Sequence, residues 1–132
     1  MASLAITGLY AGLLALLFIV LSINVIRLRL TYKVGIGIGD SEQKMLAKKV
    51  RIHGNFAEYI PLSLILLAIA EINGTSAAIL HSFGALLFVG RLLHSVGLTK
   101  SLGTSRERQF GTLATFIVLL SLSVINIQTF VL

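Results

Sequence analysis

Arg51, Asn55 and Glu58 stand at i, i+4 and i+7 in the segment Arg51-Ile-His53-Gly-Asn55-Phe-Ala-Glu58-Tyr59-Ile-Pro61. In a helix that spacing places all three on one face, and Tyr59 follows Asn55 one i+4 step from that stripe. A guanidinium, an amide and a carboxylate in one row can do two things. They can satisfy one another as a structural network, with Asn55 bridging Arg51 and Glu58, or they can hold a small charged ligand. Further cations recur near the same level of the chain, at Arg27 and Arg29, at Arg91, and at Arg106 and Arg108. One glutamate cannot neutralise so many positive charges, which points to a site for a small anion walled by apolar helices.

Other chemistries are disfavoured by residue type. The chain has no cysteine, hence no disulfide, no thiolate nucleophile of its own and no Cys-based metal site. His53 and His94 have no carboxylate or second histidine at ligand spacing, so no metal is expected. His81 reads as a hydrogen-bonded packing residue. The run Gly35-Ile-Gly-Ile-Gly39-Asp40 lacks the third-glycine spacing of a dinucleotide fingerprint and follows no strand, so it reads as a connecting loop. Gly8 and Gly12 form a small-xxx-small pair that could let two helices approach. Pro61 removes a backbone bond to Ala57 and is expected to bend its helix.

The elements that carry these residues are set by hydropathy. Of 132 residues 56% are hydrophobic and 12% charged, too oily for a soluble domain and too short for two, so a single membrane-embedded unit is expected. The net charge of +6 does not indicate nucleic acid, because the basic residues alternate with stretches that only lipid would solvate. A bilayer core of about 30 Å needs roughly 20 helical residues, and four spans are predicted at about 4–29, 48–71, 76–96 and 107–131. The first has no basic region before it and is too long for a signal-peptide core, so it is expected to remain in the mature protein. The second must extend back from the apolar run 56–70 to reach across. Glu58 then lies roughly 20 Å from the Glu71 end, about 10 Å inside the hydrocarbon boundary. Every lysine and arginine falls within 27–51 or 91–108. The positive-inside rule therefore predicts both basic regions in the cytoplasm and both termini outside. Lys33, Lys44, Lys48, Lys49 and Lys100 are expected to snorkel to lipid phosphates or stay in water, as Arg27 and Arg29 also could.

Arg51-x-x-x-Asn55-x-x-Glu58-Tyr59 followed by Pro61, on the second of four short spans, resembles the signature of the membrane-associated proteins in eicosanoid and glutathione metabolism, the MAPEG family. The likeness extends to Arg27-Leu-Arg29 closing the first span, to Gly90-Arg91 and His94 in the third, and to the basic residues opening the fourth. The resemblance implies an all-α integral membrane protein, a left-handed four-helix bundle assembled as a homotrimer in a bacterial inner membrane, with termini in the periplasm. It implies glutathione in cytoplasm-facing sites between subunits, bound by Arg51, His53, Asn55, Glu58, Tyr59, Arg91 and His94 together with Arg27 or Arg29. It also implies a thiolate-stabilising arginine at Arg106 or Arg108, and lipophilic substrates entering from the bilayer lipids.

The electrostatics suit such a ligand. Glutathione brings two carboxylates for the arginines and one ammonium for Glu58. Lowering a thiol from a pKa of about 8.5 to about 6.5 takes roughly 2.7 kcal/mol, and one arginine at about 4 Å supplies on the order of 4 kcal/mol at an effective dielectric near 20. A chain without cysteine fits a nucleophile that arrives with its co-substrate. Relatives that form eicosanoids often carry tyrosines where this chain has His94 and Leu98, so dedicated leukotriene or prostaglandin synthesis is not supported. The reading is a glutathione transferase or peroxidase acting on hydrophobic compounds. The alternatives are a non-catalytic member binding a lipid or another anion as a scaffold, and a four-helix exporter, which would be expected to carry its key carboxylate in the first span.

Overall fold

The computed structural model describes residues 3–100 and 105–132, with helical backbone alone at 98–100. Leu98 and Lys100, named above, therefore have side chains outside the described residues. Four helices follow in order, α1 (Ala5–Tyr32), α2 (Lys44–Ile72), α3 (Ala77–Lys100) and α4 (Arg106–Val131). All four carry stretches long and apolar enough to cross a membrane, so the fold is an all-α four-helix membrane bundle. α2 and α3 each pack against the other three helices, whereas α1 and α4 do not meet among the described residues.

Each helix buries only a narrow seam. On α1 this is Thr7, Tyr10, Leu14 and Leu21, a heptad-like spacing. Leu9, Leu16, Ile19, Val20 and Ile23 of the same helix are exposed, as expected of a helix whose outer surface meets lipid rather than water. Leu14, Ile52, Leu67, Leu80, Leu87 and Leu122 supply the tightest part of the shared core. α2 continues through Pro61 to Ile72. Gly8 and Gly12 have nothing within 4 Å of a built Cβ, so the close approach their spacing permits is not made inside one chain.

The connections hold the helices by specific bonds. Between α1 and α2, Lys33 takes a left-handed C-cap conformation at φ 57° and donates its N–H to the Arg29 carbonyl. The Arg29 guanidinium donates to the carbonyls of Val34 and Gly37, at 3.3 and 3.1 Å. Gly37, at φ 80°, supplies a conformation that side chains with a Cβ resist. The glycine-rich run is thus a folded connector pinned by an arginine. At the opposite end the N-cap residue of α1, Leu4, supplies no side-chain cap, and the Ser3 hydroxyl accepts only from the Ala5 N–H, at 3.3 Å. The Glu71 carboxylate at the end of α2 supplies the cap, accepting from the Ile6 and Thr7 N–H groups at 2.9 and 2.7 Å. A negative group on exposed helix-start amides satisfies orphan donors and the helix dipole together. Beside it, Tyr10 of α1 bonds His81 of α3 through Oη and Nδ1 at 2.9 Å; His81 is the hydrogen-bonded packing residue expected. Farther along that half of the bundle the Asn126 amide donates to the Leu66 carbonyl at 3.0 Å.

Candidate anion site at the basic end

The second-helix stripe divides on folding. Asn55 turns inward, while Arg51 and Glu58 remain about half exposed and pair with each other, Nη1 to Oε1 at 3.2 Å. Asn55 does not bridge them. Its Oδ1 accepts from Nη2 of Arg91 on α3 at 2.6 Å, and Arg91 is only 1% exposed. The Arg91 guanidinium also lies 5.9 Å over the Phe56 ring and donates to Nδ1 of His94 at 3.3 Å. Because arginine has no acceptor, Nδ1 must accept, which places the His94 proton on Nε2.

Among the described residues no carboxylate lies within ion-pair distance of Arg91, and its Nε has no hydrogen-bond partner. An arginine at mid-span costs about 2.5–3.5 kcal/mol on insertion scales. A hydrogen bond to a charged group returns about 1.5–3 kcal/mol, and a desolvated cation–π contact about 2 kcal/mol. These contacts offset the cost of burying Arg91 and fix its guanidinium in place.

Two further arginines converge on the same histidine, since Arg108 and Arg51 join Arg91 within electrostatic reach of His94. Arg108 is brought there by the close packing of α3 on α4. A Cβ on Gly111 would strike the Gly90 carbonyl and the His94 backbone, and one on Gly97 would meet the Arg108 N–H nitrogen. Ser105 caps α4 by accepting from that N–H at 3.2 Å, which fixes Arg108 in the first turn. Arg108 opens onto a cavity of about 390 Å³ shared with Gln109, Thr112 and Phe116. Tyr59 packs edge-on against Phe116, with ring centroids 5.5 Å apart, and so joins the stripe to the Arg108 cavity. Arg106, one residue before Glu107, is exposed.

Residues 7–128 match the sequence profile of the MAPEG family. The chain belongs to the MAPEG family. It is 38% identical over 122 residues to inner membrane protein YecN of Escherichia coli strain K12, a match covering 92% of this chain and 90% of that relative. YecN of Escherichia coli O6:H1 gives the same figures. The MAPEG chain is accordingly a multi-pass membrane protein.

The other residues singled out in the sequence go elsewhere in this MAPEG chain. His53 faces α1, where Nε2 lies 3.0 Å from the Ser22 hydroxyl and the ring stacks on Phe18 at 4.7 Å. Ser22 donates its own hydrogen to the Phe18 carbonyl, so His53 is the donor. Arg29 is engaged in the 33–43 connection. Arg27 lines a separate cavity with Lys49. Among the described residues no three His, Cys, Asp or Glu side chains cluster for a metal ion. Sequence reasoning missed Phe56 and Phe116, the two rings that orient Arg91 and Tyr59. Each lies on a helix already identified, but only the packing of one helix on another says which ring meets which polar group.

Proposed function

We propose that this chain is a membrane-bound glutathione transferase with peroxidase activity, using glutathione at the basic end against lipophilic electrophiles or lipid hydroperoxides. Arg91 carries the reading, as a buried, preoriented cation that among the described residues lacks a carboxylate partner and has an unpaired Nε. One glutathione carboxylate would dock there beside Asn55 and His94. The glutamyl headgroup would exchange onto the Arg51–Glu58 pair, its ammonium on Glu58 and its carboxylate on Arg51. An exposed ion pair contributes only about 0–1 kcal/mol, so opening it costs little and two charge-assisted contacts replace one.

Arg108 would hold the sulfur as thiolate, with Tyr59 and Phe116 beside it. The thiolate attacks an electrophilic carbon and forms the S–C bond as the leaving group departs with its electron pair. With a hydroperoxide it attacks the terminal oxygen and releases the alcohol; a second glutathione then displaces water to give the disulfide. The site opens to the cytoplasm in this reading. A homotrimer would cover the half-exposed Arg51 and Glu58 with a neighbouring subunit. Arg27 or Arg29 and His53, which lie away from Arg91 within one chain, would reach the glutathione of a neighbouring subunit in such a homotrimer, and Arg106 is the alternative to Arg108 as the thiolate-stabilising arginine.

Calorimetric titration of glutathione into the detergent-purified protein, wild type against Arg51→Ala, tests the site. Saturable binding that weakens at least tenfold in the variant is expected, the loss of one charge-assisted contact. Absence of binding in wild type would overturn the proposal. Binding without turnover above the uncatalysed rate would leave a non-catalytic glutathione-binding protein.

A further inference from the structure

Two cavities on the α1 side of the bundle form one continuous feature outside the site described above. The first, about 230 Å³, is a polar mouth where Arg27, Asn24 and Thr31 of α1 face Lys49 of α2. The second, about 320 Å³, is an apolar groove between α1 and α3, with Leu17, Val20, Leu21, Ile52 and Val96 among its walls. Asn24 and Lys49 line both, so the groove runs directly into the mouth. Leu21 and Ile52 are buried and form its floor, while Val20 and Val96 are about half exposed at its rim.

The dimensions match one lipid chain. From Leu17 to Arg27 is ten residues, about 15 Å along the helix, which is half of the roughly 30 Å hydrocarbon core, or one leaflet. Arg27 lies about 33 Å along α1 from Ala5, at headgroup level. Asn24 lies about 4.5 Å deeper, at the level where a lipid's glycerol esters begin. Two cations at the phosphate level, an amide below them and an apolar trough one leaflet deep are complementary to an anionic phospholipid. On α2, Lys49 and Arg51 are two residues and so about 200° apart, which separates this feature from the Arg51–Glu58 face.

We propose that Arg27, Lys49 and Asn24 bind the phosphate and ester groups of an anionic phospholipid whose acyl chain lies in the α1–α3 groove. The test is binding of phosphatidylglycerol to the detergent-purified full chain by native mass spectrometry. Phosphatidylcholine with the same acyl chains and water-soluble glycerol phosphate serve as the other ligands. Wild type is expected to prefer phosphatidylglycerol over phosphatidylcholine and to leave glycerol phosphate unbound, since the headgroup alone forgoes the groove. Arg27→Gln with Lys49→Gln is expected to weaken phosphatidylglycerol binding roughly thirtyfold, the factor for two basic groups near an anionic surface. Lys33→Gln with Lys44→Gln removes the same charge outside the cavity and is expected to keep the preference. Val96→Trp, which fills the groove from its rim, is expected to weaken both lipids. Equal binding of the two lipids by wild type would overturn the proposal. So would an equal loss in the two charge-matched variants, showing diffuse attraction only, or tight binding of glycerol phosphate, showing a free-phosphate site.

Discussion

The two ends of the bundle use polar residues in opposite ways. Away from the basic residues, polar groups are taken up by one another: Glu71 by the α1 amides, Tyr10 by His81, and the Asn126 amide by the Leu66 carbonyl. The buried atoms left over in that half are neutral oxygens, Thr7 Oγ1 and Asn126 Oδ1. At the basic end the leftover atom among the described residues belongs to a buried cation, Arg91 Nε, and the ion pair near it is half open to its surroundings. A neutral orphan costs a fraction of what an unpaired charge does. One end uses its polar groups to hold helices together, while the other keeps a buried cation that an anion would satisfy in the proposed reading.

Substitutions can break that contrast, beginning with the largest effect. Arg108→Gln is expected to reduce glutathione conjugation at pH 7 by about twenty-five-fold, the fall in thiolate fraction when a thiol pKa returns from about 6.5 to about 8.5. Because thiolate is the reactive form, the variant's rate should keep climbing between about pH 7.5 and 9, where wild type is already nearly level. A pH–rate profile reads this directly, and Arg106→Gln should leave its shape unchanged. An unaltered profile in Arg108→Gln would remove that guanidinium from the chemistry.

Asn55→Ala strips Arg91 of its acceptor and is expected to lower both stability and glutathione affinity, the former by about 1.5–3 kcal/mol. Thermal unfolding in detergent and calorimetry measure the two losses together. Glu71→Gln should cost about 0.5–2 kcal/mol of stability through its weakened cap and leave glutathione affinity within twofold, since its contacts are all with α1. If Glu71→Gln impaired binding as much as Asn55→Ala does, the division between the two ends would fail.

The fold was legible because a bilayer imposes length and hydropathy on each span, and the four helices answer both. The site was legible only as a face. Positions i+4 and i+7 fall about 40° to one side and 20° to the other of position i. That 60° spread is wide enough for Asn55 to turn inward while Arg51 and Glu58 stay at the rim. His53, about 200° from Arg51, had to point elsewhere, and its partner Ser22 comes from another helix. In the proposed reading the preference for Arg108 over Arg106 rests on Gly97 and Gly111. Their role depends on how closely α3 and α4 approach, a tertiary fact that local spacing does not contain.

The Glu71 cap also bears on the order of assembly during synthesis. Its carboxylate and the amides it bonds lie 64 and 65 residues apart, both within the first helical hairpin. α1 and α2 can therefore insert and lock as a unit before α3 leaves the ribosome. Arg91 can then enter the membrane with its Asn55 acceptor already present, while the Asn126–Leu66 bond at the opposite end closes only after α4 follows.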